Sequence, residues 1–365
     1  MPTRRVTTLK RQYHSQKDRA RGGRSRQRHE RRQRRDLSIV AVIPLYNGAK
    51  WIEAAIRSVL SQKLQPDEIV VVDDGSTDDG PIIVQRLAAQ HHHIKLLHKP
   101  NGGQSSARNF GIRRTTSALI ALLDQDDEWY YNHLDRLVRP FREDRVIPLG
   151  WAYSDLDEFD EGGALVQRGR LSMAQPVEHP KRSLAACLSQ DMFVVPSASL
   201  MSREAFEKVG GFDERLCGYE DDDLFLRIFR AGYDNVFVNE SLSRWTIHPS
   251  SVSYSERMSA SRMIYAHKLA KTFFNDRKMR RYWVRDCIAP RFVHTLLNEY
   301  GSALLDRDTK RAGRAIRDLK VLVPNLSPAR RIRLSILLPL LRIQPLVRTI
   351  RTLPLARRFV ARILS

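Results

Sequence analysis

Cysteine is scarce in this chain of 365 residues: Cys187, Cys217 and Cys287 stand far apart and form no CxxC pair. That spacing excludes a disulfide framework and leaves three free thiols, as expected in a reducing compartment. No run of about 18 apolar residues occurs, which excludes a membrane-spanning helix. The N-terminus lacks the apolar segment of a secretory signal. It is Arg-rich and poor in acids, as transit peptides are, but the dense "RRQRRD" run argues against one. A cytoplasmic location is expected. Acids are nearly missing from both ends. Residues 1–36 hold 14 Lys+Arg against 3 acids, and residues 329–365 hold 9 Arg and no acid. Of the net charge of +21, only about +1 falls on residues 37–328. A near-neutral body speaks against a nucleic-acid-binding protein, so the basic pI describes the two ends. Phosphate loops are missing too. The first strand turn, "PLYNGAK", carries no GxGxxG, and GxxxxGK[ST] appears nowhere, so dinucleotide dehydrogenases and P-loop NTPases lose their main support.

Residues 1–36 have almost no apolar content and are expected to form a disordered basic arm; contact with anionic lipid or RNA is the functional alternative. From Leu37 the pattern changes. "LSIVAVIP" reads as a buried strand, and Ile52, Ala55, Ile56, Val59 and Leu60 then recur at helical spacing. "EIVVVDDGS" is a second strand, and "IKLLH" and "ALIALLD" are two more, separated by helices at "IIVQRLAAQ" and "SSARNFGIRRT". This alternation predicts an α/β fold, a doubly wound and mostly parallel sheet flanked by helices. Further strands are expected at "GWAYSDL" and "SASLMS", and helices at "REAFEKV" and "EDDDLFLRIFRAG". The expected division is a basic arm (1–36), an α/β domain (37–254), a helical extension (255–328) and a basic amphipathic tail (329–365).

Acids gather where the strands end. Asp73 and Asp74 close one strand, and "LLDQDDEW" places Asp124, Asp126 and Asp127 after another. In a doubly wound sheet, ligands sit outside the carboxyl ends of the strands, so these groups should converge. Like charges this close are costly unless something compensates them. A divalent cation, Mn²⁺ or Mg²⁺, held by one or two carboxylates and a substrate's phosphates, would do so. The triple histidine at 91–93 is more tempting as a metal site but falls in a helix–strand connection.

"VAVIPLYN", "IVVVDDGSTDD", "NGGQSSARNFG", "LLDQDDEW", "GGFDE" and "YEDDDLFLR" stand in an order that resembles family 2 glycosyltransferases of the GT-A fold, over residues 38 to about 254. The resemblance implies a nucleoside pocket at Pro44, Tyr46, Asp73 and Asp74, with Arg108 on the base or phosphate. It implies a DxD motif in which Asp126 holds the metal and Asp124 meets the ribose or a metal-bound water. Asp127 is read as a turn cap before a metal ligand. Gly210 and Gly211 correspond to a glycine loop beside the donor sugar, or to a plain helix C-cap. Asp221 corresponds to the general base, with Glu220 orienting it. Asp222 and Asp223 need no role beyond the helix dipole, and Arg227 either orders this cluster or reaches a phosphate. His248, in "RWTIHPSSVS", corresponds to a histidine on the metal or diphosphate. The implied reaction is an inverting, metal-dependent transfer from a nucleotide-diphosphate sugar, UDP being the usual carrier, to a saccharide or lipid-linked saccharide in cell-surface polysaccharide synthesis. A sugar-phosphate nucleotidyltransferase and a non-enzymatic nucleic-acid-binding protein are the alternatives. The arginine–leucine tail is expected to lie on an anionic membrane surface, or else to pack as helices on the domain.

Overall fold

The structure is a computed structural model describing residues 37–173, 177–248, 256–276 and 278–340. The expected basic arm and the tail beyond residue 340 lie outside the described residues.

β1 (Ile39–Leu45) is buried along its whole length. Strands with helices on both faces are apolar on both, which is why its sequence does not alternate with polar residues. The two faces still serve different cores. Ile39, Ala41 and Ile43 pack with Ile52, Ile56 and Val59 of α1 (Ile52–Leu60). Val40 and Val42 pack with Val70 and Val72 of β2 (Glu68–Asp73) and with Ala107 of a later helix. α2 (Gly80–Gln90), β3 (Ile94–His98), α3 (Gln104–Ile112) and β4 (Leu119–Leu122) follow. β1 pairs in parallel with β2 and β4, and β2 with β3. α3 lies close on this sheet: a Cβ at Gly111 would come within 2.8 Å of Val72 and 3.0 Å of Val42.

Beyond β4 the sheet becomes mixed. β5 (Glu128–Trp129), α4 (His133–Val138), β6 (Leu149–Asp160), β7 (Leu165–Gln167), α5 (Leu184–Ser189), β8 (Ser199–Ser202), α6 (Arg203–Lys208), α7 (Glu220–Arg230) and β9 (Asp234–Ile247) complete the domain. The strand order is β3-β2-β1-β4-β8-β6-β9-β5. β8 runs antiparallel to both β4 and β6, whereas β6 and β9 are parallel. The parallel sheet expected from the sequence is therefore its first half, and β8 turns the direction.

α8 (Glu256–Thr272), a short hairpin of β10 (Asn275–Asp276) and β11 (Arg281–Tyr282), a π-helical turn (Val284–Ile288), α9 (Ala289–Leu305), α10 (Thr309–Leu322) and α11 (Pro328–Leu340) follow. Tyr265, Phe292, Leu296 and Leu319 share one core with Trp151 and Phe225, so these helices pack on the sheet rather than beside it. Among the described residues no helix is long and apolar enough to cross a membrane. All three cysteines are free.

Candidate active site

The carboxyl ends of β1, β2 and β4 open onto a cavity of about 400 Å³. Pro44, Tyr46, Asp74, Arg108, Asp124, Asp126, Glu220, Asp221 and His248 all line it, brought together from six separate stretches of chain.

Asp74 is fixed by the glycine turn before α3. Its two carboxylate oxygens accept from the amides of Gly102 (3.0 Å) and Gly103 (2.7 Å), and Lys99 Nζ donates at 2.5 Å. Asp73 does not reach the cavity wall. It accepts from the Ser76 amide at 2.9 Å and meets His98 Nδ1 at 2.9 Å. Burial pushes the Asp73 carboxyl up, but these bonds from Ser76 and His98 prevail and hold it low. Its neighbour in the strand alternates to the opposite side, which is why only one of the two aspartates faces the ligand space. Tyr46 sits at the rim, and its backbone amide donates to Gln125 Oε1 at 2.8 Å. Gln125 Nε2 donates back to the Tyr46 carbonyl. Gln125 thus ties the first strand turn to the "DQD" turn, a role the sequence alone did not disclose.

Arg108 is buried to 1% exposure and links the two acidic motifs. Nη2 donates to Asp124 Oδ1 at 2.5 Å and Nη1 to Glu220 Oε1 at 3.0 Å. Burial disfavours its charge, but Asp124 and Glu220 outweigh that and keep the guanidinium ionised. It was expected on a base or phosphate; here both terminal nitrogens are taken by carboxylates. Asp126 Oδ2 lies 2.7 Å from His248 Nε2, and the His248 ring stacks on Trp51 at 4.6 Å. Burial, then the Asp124 charge, push the Asp126 carboxyl up against the opposing pull of His248. Asp127 accepts from the Thr246 amide at 3.0 Å and so anchors the end of β9. Burial first, then Asp126 and Asp124, raise its carboxyl well above the ordinary range.

Among the described residues no group of three His, Cys, Asp or Glu converges as a self-sufficient metal site. Asp126 and His248 do place one hard oxygen and one imidazole nitrogen together on the cavity wall. Two such donors fit a cation that takes its other ligands from a diphosphate.

α7 carries four consecutive acids. Glu220 accepts from Arg108, from Gln104 Nε2 and from the Gly218 amide at 2.7 Å. Asp222 accepts from Met192 N (2.7 Å), Tyr265 OH (2.6 Å) and Arg291 Nη2 (3.0 Å). Asp223 pairs with Arg227 and with Lys268, each at 2.7 Å. Asp221 differs: it accepts from the Asp222 amide and has no ion pair among the described residues. It faces the cavity. Burial, then Glu220, Asp191 and Asp222, raise its carboxyl well above the ordinary range.

Gly210, Gly211 and Arg227 lie off the cavity wall. Arg227 donates to the carbonyls of Val209 (2.6 Å) and Gly211 (2.7 Å), so its guanidinium orders the turn instead of pointing at a phosphate. Gly211 has a φ of +74°, and a Cβ there would stand 2.8 Å from Asn109 Oδ1. That oxygen accepts from the Phe212 amide, so the glycine pair lets the loop lie flat against α3. Asp191 was not anticipated. It lines the cavity next to Phe193, whose φ of +49° turns the backbone so that its amide donates to Asp191 Oδ1 at 2.7 Å. A lone Asp before "MFVVP" offers no local pattern that would have marked it.

The model of glycosyl transferase family 2 matches residues 40–210, and that of the N-terminal domain of galactosyltransferase matches residues 194–250. An uncharacterized glycosyltransferase of Rickettsia conorii is 32% identical over 194 residues, 52% of this chain. That match spans 31% of the relative's own length. Glycosyltransferase GlyG of Streptococcus pneumoniae is 27% identical over 224 residues, 60% of this chain and 73% of that one. S. aureus TarS 1–349, solved with UDP-GlcNAc, superposes with a TM-score of 0.59 at 17% identity, covering 81% of this chain and 83% of that one. The likeness is one of fold and agrees with the GT-A arrangement. Motifs, sheet and family model coincide, and residues 40–210 of the chain match glycosyl transferase family 2.

Proposed function

We propose that this cavity transfers a sugar from a nucleotide-diphosphate sugar, with UDP as the first carrier to test, to an acceptor hydroxyl with inversion. One observation carries the reading: Asp221 faces the cavity with no ion pair among the described residues, its carboxylate accepting from the Asp222 amide. A group so placed can take a proton, and burial with the neighbouring Glu220 and Asp191 raises its carboxyl in the direction that favours accepting one.

Pro44, Tyr46 and Asp74 would seat the nucleoside, with Asp74 already oriented by the glycine turn. Asp126 and His248 would hold Mn²⁺ or Mg²⁺, which when bound neutralises the diphosphate. Asp221 takes the hydroxyl proton as the acceptor oxygen forms its bond to the anomeric carbon from the face opposite the nucleotide. The bond from that carbon to the phosphate oxygen breaks, and the electron pair leaves with the diphosphate. Arg108 and Glu220 position the two acidic motifs relative to each other. The acceptor is a saccharide or lipid-linked saccharide, consistent with assembly of cell-surface polysaccharide at the cytoplasmic face of a membrane.

The test separates binding from chemistry. Asp221→Asn should bind a UDP-sugar with Mn²⁺ in calorimetry as the parent does, yet release UDP about 10²–10⁴-fold more slowly with acceptor present. Pyrophosphate release in place of UDP would point to the nucleotidyltransferase alternative and overturn the reading.

A further inference from the structure

Far along the chain from the cavity motifs, two short elements expose large apolar side chains among cations. Phe274 and Met279, at the β10–β11 hairpin, are 65% and 61% exposed. Ile332 and Ile336 of α11 are each 63% exposed, while Leu334 between them is fully buried. Ile332 and Ile336 are one helical turn apart and so share a face, the one opposite the core-packed Leu334. Lys278, Arg280 and Arg281 in the hairpin and Arg331 and Arg333 in α11 are exposed.

The acids nearby are already engaged. Asp276 accepts from the amides of Lys278 and Met279 inside the turn. Asp286 pairs with Arg285 at 2.7 Å, and its carboxyl is held low first by Arg285 and also by Arg330 at the start of α11. Arg330 is therefore within electrostatic reach of Asp286, in the turn that follows the hairpin. Past Leu340 the chain runs on for 25 residues with six arginines and no acid.

We propose that the β10–β11 hairpin and the outer face of α11 together form a docking surface for an anionic lipid bilayer. Charge and apolarity decide between occupants. A polyanion such as RNA would use the cations and stack a base on Phe274, but would gain nothing from Met279, Ile332 and Ile336 in water. A bilayer with acidic headgroups takes both, with apolar side chains at the acyl boundary and cations at the headgroups. The surface belongs to the folded body, and it sits where the arginine-rich segment begins. It stands independently of the chemistry assigned to the cavity.

The test uses the full chain and co-sedimentation with phosphatidylcholine vesicles, with or without one quarter phosphatidylglycerol. The parent should bind the phosphatidylglycerol vesicles and leave the neutral ones. Replacing Phe274, Met279, Ile332 and Ile336 together by Ser should weaken that binding by at least about tenfold. Lys278→Glu with Arg280→Glu should weaken it independently, through charge alone. Thermal stabilisation by UDP with Mn²⁺, read on each variant, reports on fold and cavity separately. Parent-like binding by the four-serine variant would leave the docking to the terminal arginines and overturn the proposal. So would a parent that ignores acidic vesicles or prefers polyuridylic acid to them.

Discussion

The two acidic runs, "DQDD" at 124–127 and "EDDD" at 220–223, meet the same electrostatic problem and are compensated differently. In the second, three of the four carboxylates have their own cation: Glu220 has Arg108, Asp222 has Arg291, and Asp223 has Arg227 and Lys268. In the first, Asp124 alone has a full cation, the same Arg108, while Asp126 has a histidine and Asp127 has backbone. Positive charge is short where the cavity lies and complete where the helices pack. The carboxylates without a full cation are Asp126, Asp127 and Asp221; Asp127 is spent on the Thr246 amide, and the other two are those proposed for the metal and the proton. On the proposed reading, Asp126 and Asp221 are under-compensated where chemistry is expected, and Asp222 and Asp223 are fully compensated where helices pack.

Removing the uncompensated base should have the largest effect. Asp221→Asn should lower the transfer rate by about 10²–10⁴-fold, read as nucleotide release at saturating donor. The same change should make the fold more stable. A carboxyl whose pKa is raised on folding favours the folded state at low pH, and that contribution fades as pH rises from its ordinary value towards the raised one. At neutral pH the parent therefore carries a cost that Asn lacks. A gain of ~1 kcal/mol would raise the melting temperature by ~2–4 °C. A variant that is both inactive and less stable would show that Asp221 is a structural acid.

The compensated side should break in the opposite manner. Arg291→Met leaves Asp222 buried with the Tyr265 hydroxyl and one amide, and should cost about 3–5 kcal/mol in chemical denaturation. If the variant unfolds at the parent's denaturant midpoint, the pairing of Asp222 is not what fastens α8 and α9 to the site. Next in size is the cation. Asp126→Ala should weaken Mn²⁺-dependent donor binding by about 10–100-fold in calorimetry, while binding of the nucleoside alone is unchanged.

Sequence reasoning reached the first half of this molecule further than the second. The first four strands were legible because β-branched runs separated by amphipathic helices admit few other arrangements. Asp73, Asp74, Asp124, Asp126 and Asp127 were expected on one crevice because they close strands, and all but Asp73 line it, whereas Asp221 and His248 could be named only through the resemblance to the family. The direction of β8 could not be read, since "SASLMS" carries no mark of whether it runs with or against β4. Asp222 and Asp223 look like ordinary helix-start acids, because Tyr265, Lys268 and Arg291 lie more than forty positions downstream of Asp222. Arg227 was open between two roles, and the carbonyls of Val209 and Gly211 that occupy it are set by a turn whose shape is tertiary.

Asp191 offers the finest test of the comparison, because it belongs to neither run yet touches the balance of one. It lines the cavity, and after burial and Glu220 its charge is the next influence raising the Asp221 carboxyl. Arg291 Nη2 stands 3.9 Å away but is already committed to Asp222 at 3.0 Å, so Asp191 shares a cation without owning one. Asp191→Asn removes a negative charge and keeps the shape and the acceptor for the Phe193 amide. The Asp221 carboxyl should then titrate lower. Because the base must be deprotonated, the acid limb of the kcat/KM profile should move to lower pH while the plateau changes little. A limb that stays in place would mean that Asp191 does not act on the base electrostatically. A fall in the plateau with the limb unmoved would assign it instead to holding the acceptor.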